Sequence, residues 1–91
     1  MMQDQKWRRE KSWIVAQFND NLVMLDVAGS GNYFGMNKTA AAIWDILAHP
    51  STIDEIVDTL VKAFDVATDQ CRNSAERALA KLKEIGAISE V

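Results

Sequence analysis

Leu22-Val23-Met24-Leu25-Asp26-Val27, the turn residues Ala28-Gly29-Ser30-Gly31-Asn32, then Tyr33-Phe34-Gly35-Met36-Asn37 and Thr39-Ala40-Ala41-Ala42-Ile43-Trp44 decide the fold of this chain. An apolar run, a glycine-rich turn and a short aromatic run read as two strands, and the alanine-rich segment behind Asn37 reads as a capped helix. Upstream, Ser12 to Phe18 is rich in aromatic and β-branched residues, and Asn19-Asp20-Asn21 supplies a turn before Leu22 to Val27. These segments predict a three-stranded antiparallel meander. Its third strand, Tyr33 to Met36, is short, contains Gly35 and belongs at an edge, where backbone N–H and C=O groups face outward.

Three helices are expected behind the meander. Ala40, Ile43, Trp44 and Leu47 recur on one face of the first, and Pro50 ends it. The second opens with Thr52 and Glu55 at capping-box spacing, and Ile53, Ile56, Val57, Leu60, Val61 and Phe64 form its apolar stripe. Asp54, Glu55 and Asp58 suit the positive end of its dipole. The third is expected to be capped by Thr68, to turn Cys71, Ala75, Ala78, Leu79, Leu82 and Ile85 inward, and to stop at Gly86. Ala87 to Val91 offers a terminal strand. The fold class read from the sequence is therefore α+β, a three-stranded antiparallel sheet followed by three helices with a winged helix-turn-helix outline.

Composition narrows the function. With 91 residues, 48% of them hydrophobic, the chain makes one small domain and leaves little room for a deep catalytic cavity. The net charge of −3 provides no global attraction for nucleic acid. The basic cluster Lys6, Arg8, Arg9 and Lys11 precedes the expected sheet and reads as a solvated N-terminal arm over residues 1–11, with the domain proper over 12–91. Cys71 is the single cysteine and His49 the single histidine, so neither an internal disulfide nor a typical zinc site can form. Cys71 falls on an apolar stripe, the place of a small buried hydrophobe. Trp13 and Trp44 also fall on apolar faces and are expected in the core. Asp26 is placed to brace the glycine turn by accepting backbone N–H bonds. Neither a signal peptide nor a spanning segment of about 20 apolar residues is apparent, which points to the cytoplasm.

Catalytic chemistry has no foothold in these motifs. There is no Walker-type loop, HExxH or CxxC, and Gly29-Ser30-Gly31 lies between strands rather than opening a helix. Neither an enzyme nor a cofactor is expected.

The stretch from Leu22 to Trp44, followed by Thr52-Ile53-Asp54-Glu55-Ile56, Leu60, Phe64-Asp65-Val66 and Leu82-Lys83-Glu84-Ile85-Gly86-Ala87-Ile88, resembles the PqqD-like family of peptide-recognition domains over about residues 13 to 91. The resemblance implies a non-catalytic chaperone that binds the leader of a ribosomally made precursor peptide as an added strand and delivers it to a processing enzyme. Two settings are implied. In pyrroloquinoline quinone biosynthesis the partner is a radical S-adenosylmethionine enzyme; in lasso-peptide biosynthesis it is a leader peptidase followed by a cyclase. The Ile43-Trp44 pair and the tight turn from Asp26 to Phe34 are closer to the second. Lys38, where the family often has an acidic residue, and His49-Pro50, in place of an acid-glycine turn, depart from the pattern and bear on the choice of partner.

An extended peptide along the edge formed by Tyr33, Phe34, Gly35 and Met36 would satisfy backbone groups on both sides, and its alternate side chains would enter a groove bordered by the third helix. On that helix Ala75 beside Leu79 is expected to leave room for an apolar anchor, with Arg72 and Lys83 meeting carboxylates at the rim. Two other uses of the same outline remain open. A winged-helix regulator would direct Arg72, Arg77, Lys81 and Lys83 at DNA, although Asp69, Glu76 and Glu84 dilute that face. A structural subunit would dock on an enzyme without touching peptide.

Overall fold

The structure, a computed structural model, describes residues 5–28 and 33–91. Among the described residues nine elements follow one another: β1 (Lys6–Arg9), β2 (Trp13–Phe18), β3 (Asn21–Asp26), β4 (Tyr33–Met36), α1 (Lys38–Ile46), β5 (Ser51–Thr52), α2 (Ile53–Phe64), α3 (Thr68–Glu84) and β6 (Ile88–Glu90). They form an α+β arrangement of three helices and two three-stranded antiparallel sheets.

The expected meander is the sheet β2-β3-β4. Its first hairpin closes through Asn19 and Asp20 alone, with Phe18 opposite Asn21 and Asn19 at φ 55°, a left-handed conformation that asparagine tolerates. Strand alternation then turns Trp13, Val15, Met24, Phe34 and Met36 to the core and Ile14, Val23, Tyr33 and Gly35 to the outer face. The Asp26 carboxylate accepts the Ala28 N–H at 3.3 Å, the brace expected of it. The remainder of the turn, Gly29 to Asn32, lies outside the described residues.

The second sheet, β5-β1-β6, corrects two expectations. Residues 6–9 are not a solvated arm but its central strand, and the strands do not all precede the helices. Trp7 pairs with Ser51 on one side and Glu90 on the other, and its ring is only 3% exposed. Arg9 is also engaged. Its guanidinium donates to the Trp44 carbonyl, from Nε at 2.7 Å and also from an NH2 nitrogen, and lies 4.8 Å from the centre of the Trp44 ring. Carbonyls in the last turn of a helix have no partner within it, so a cation there satisfies both the hydrogen bond and the dipole.

Local chemistry explains the helix ends. Asn37 Oδ1 accepts the Ala40 N–H at 2.8 Å and starts α1. Thr52 and Glu55 form the reciprocal capping box of α2, with bonds of 2.9 and 3.2 Å. Asp65 ends α2 in the left-handed region, at φ 51°. Helix α3 differs from expectation at its start, where Ala67 and not Thr68 is the cap and no side chain caps the turn. Its end follows the sequence. Gly86 takes φ 81°, its N–H bonds the Lys83 carbonyl at 3.0 Å, and the Ala87 N–H bonds that of Leu82 at 2.9 Å, the paired bonds of a Schellman turn. The buried core joins Trp13 and Met24 of one sheet to Trp7 and Ile88 of the other through Ile43, Trp44, Ile56, Leu60, Ala75, Leu79 and Leu82 of the helices. None of the helices, among the described residues, is long and apolar enough to cross a membrane.

Two measurements test this construction. Trp7→Ala removes a large buried ring from the second sheet and is expected to cost about 3 kcal/mol or more in urea unfolding, whereas a solvated arm would tolerate it. Bonds from the Thr52 backbone, and then its side chain, hold the Glu55 carboxyl below its ordinary pKa. Its contribution is therefore fully present above the unfolded glutamate pKa and is lost as pH falls through the lower folded value. The stability advantage of the wild type over Glu55→Gln should shrink in that acid window and persist at neutral pH.

Candidate functional site

Hydrogen-bond parity along β3 determines which backbone groups of β4 are free. The Val27 N–H bonds the Ser12 carbonyl at 2.8 Å, on the β2 side. In an antiparallel strand alternate residues direct both backbone groups to the same neighbour, so Leu25 and Val23 also face β2 while Leu22 and Met24 face β4. Met36 and Phe34, opposite Leu22 and Met24, therefore spend their groups on the ladder. Tyr33 and Gly35 present theirs outward. A Cβ built on Gly35 would meet nothing within 4 Å, so the outer face of the sheet is open at this position. Tyr33 is 69% exposed.

Beside this edge runs a groove of about 370 Å³ between β4 and α3. Phe34, Met36, Ala78 and Ile85 are half-buried in its wall, and Arg77 and Lys81 stand exposed along it. The Phe34 ring is held from two directions. Trp13 lies 5.9 Å from it, centre to centre, and Lys81 Nζ lies 5.7 Å from its centre.

The structure brings Tyr33, Phe34, Gly35 and Met36 together as expected but does not bring the expected helix residues to them. Ala75 and Leu79 are buried in the core. Arg72 and Lys83 border another groove, about 490 Å³ in volume, between α3 and the second sheet near Trp7. There Arg72 bonds Asp54 at 2.6 Å, which raises its pKa, and Lys83 bonds Glu90 at 3.4 Å. The reason is rotational. Successive helix residues advance by about 100°, so Ser74, Arg77, Ala78, Lys81 and Ile85 line one flank while Arg72, Glu76, Ala80 and Lys83 line the opposite one, with the buried stripe between. The spacing 74-77-78-81-85 was the sequence signal for the β4 flank.

Among the described residues no cluster of three or more His, Cys, Asp or Glu could hold a metal ion. Cys71 is buried, and the β4 groove holds neither a cysteine nor a histidine.

A profile of the family described as coenzyme PQQ synthesis protein D (PqqD) matches residues 21–88, about three quarters of the chain. The chain belongs to the PqqD family. The match spans β3 to the start of β6, and so contains both walls of the β4 groove. Two solved structures share the fold of this PqqD-family chain. One, "TbiB1 in Complex with the TbiA(beta) Leader Peptide", aligns with a TM-score of 0.75 at 22% identity over 90% of this chain and 94% of that one. The other, "Lasso peptide synthetase B1 complexed with the leader peptide", aligns with a TM-score of 0.73 at 25% identity over 91% and 96%. Among curated proteins none matches.

The parity of β4 separates two substitutions. Compared with Phe34→Ala, which removes the ring packed on Trp13, proline at Phe34 also removes an N–H directed at β3 and should destabilise the fold by about a further 2 kcal/mol. Proline at Gly35 removes an outward N–H and should leave the unfolding midpoint much closer to wild type. A loss at Gly35→Pro as large as the alanine-to-proline step at position 34, measured by denaturant unfolding, would overturn the assignment of free groups.

Proposed function

We propose that this protein is a non-catalytic peptide chaperone that binds the leader of a ribosomally synthesised precursor as a strand added to β4 and delivers it to a processing enzyme in the cytoplasm. The observation that carries this reading is the pair of outward backbone positions, Tyr33 and Gly35, lying beside an apolar groove walled by α3. An added strand bonds those groups, and every second side chain enters the groove. Family membership supports the reading, as do the leader peptides named in the two similar structures. In this proposal the helices and strands serve a winged helix-turn-helix outline used for peptide capture. The likeness to lasso peptide synthetase B1 favours a lasso-peptide leader peptidase as the enzyme supplied, over a partner in pyrroloquinoline quinone biosynthesis.

Amide NMR titration of the labelled protein with synthetic leaders of small precursors encoded beside its gene tests the proposal. Saturable shifts are expected on Tyr33 to Met36 and on the Ser74 to Lys81 flank, with a Kd of about micromolar or tighter. Gly35→Pro should weaken that binding about tenfold. Shifts confined to the Trp7 groove, or no shifts with any leader, would overturn it.

A further inference from the structure

The cations of α3 divide into two pairs with different surroundings. Arg72 and Lys83 already hold Asp54 and Glu90. Arg77 and Lys81, on the β4 flank, have no carboxylate within ion-pair distance among the described residues. Among the described residues no acidic side chain lines their groove, and Glu84, one turn further along the helix, is neither in its wall nor in an ion pair with any of them. A chain of net charge −3 thus keeps beside its strand edge two positive groups that hold no carboxylate among the described residues.

Their spacing matches an extended peptide. Positions four apart on a helix are separated by about 6 Å along its axis, and positions two apart on a strand by about 6.6 Å. Side chains two apart on a strand also point to the same face. Lys81 is held over the Phe34 ring, so its charge sits above the groove. We infer that the segment taken up beside β4 is acidic as well as apolar, with two carboxylate side chains two residues apart that meet Arg77 and Lys81. This rests on strand addition at β4, and it specifies what that strand must carry. Apolar side chains at the remaining inward positions meet Phe34, Met36, Ala78 and Ile85.

Selection of a random library of displayed peptides, about twelve residues long, on the full chain tests the inference without knowledge of the natural leader. Selected peptides should shift the β4 amides in NMR and be enriched in Asp or Glu at positions i and i+2. An exposed ion pair changes affinity by about two- to fivefold, so replacing both acids by their amides should weaken binding about tenfold at low salt. Added salt should narrow the gap. The double variant R77Q/K81Q, checked by circular dichroism, should abolish the difference between acidic and amide peptides, while R72Q/K83Q should preserve it. Peptides that shift β4 without acidic enrichment, or that bind R77Q/K81Q with the same preference, would overturn the inference and leave strand addition standing. Failure to select any peptide, or selection of peptides that shift a different surface, would overturn both. Duplex DNA binding that R77Q/K81Q removes would instead assign these cations to phosphates.

Discussion

Burial of Cys71, Ala75, Leu79 and Leu82 sets the rotation of α3 about its axis, and that rotation decides what each side of the protein can bind. Removing a leucine side chain from water stabilises by about 2 kcal/mol, so turning the helix to bury a different stripe would expose Leu79 or Leu82 and place charged neighbours inside. The arrangement admits one solution. It directs Arg72 to Asp54 at the start of α2 and Lys83 to Glu90 of the second sheet, and Arg77 and Lys81 to β4, where no carboxylate among the described residues lines the groove.

The second sheet is what gives that helix a partner on its far flank. A two-residue strand, β5, and a three-residue strand, β6, come from distant parts of the chain and meet only because β1 lies between them. Trp7 fills the space under this sheet, and Lys83 Nζ lies 5.4 Å from the centre of its ring. Arg9 then joins the strand to the end of α1 through the Trp44 carbonyl. The N-terminal residues thus connect β6 to β5, and their loss would remove Trp7 from the core.

At β4 the same economy of partners leaves an edge. The strand is four residues long, and its second outward backbone position is a glycine, with open space on the outer face of the sheet. Short edge strands resist indiscriminate pairing, while a glycine allows another backbone to approach closely. The groove beside it adds an apolar wall and two cations, which in the proposed strand addition would supply selectivity where main-chain bonds alone would be general.

The sequence by itself determined the elements whose causes are local. The β2-β3 hairpin follows from Asn19-Asp20 between apolar runs, α1 from Asn37, α2 from the Thr52 and Glu55 box, and the end of α3 from Gly86, because each depends on neighbours a few residues away. The edge position of Tyr33 to Met36 was legible for the same reason, as were the buried places of Trp13, Trp44 and Cys71. Tertiary structure alone decided β1, since Lys6-Trp7-Arg8-Arg9 offers a single apolar side chain and becomes a strand only through pairing with residues some 45 and 80 positions away. It also decided the flanks of α3, whose small alanines at 75, 78 and 80 leave the inward face ambiguous until two sheets press on it from opposite sides. Periodicity tells which residues share a face of a helix; only packing tells which neighbour that face meets.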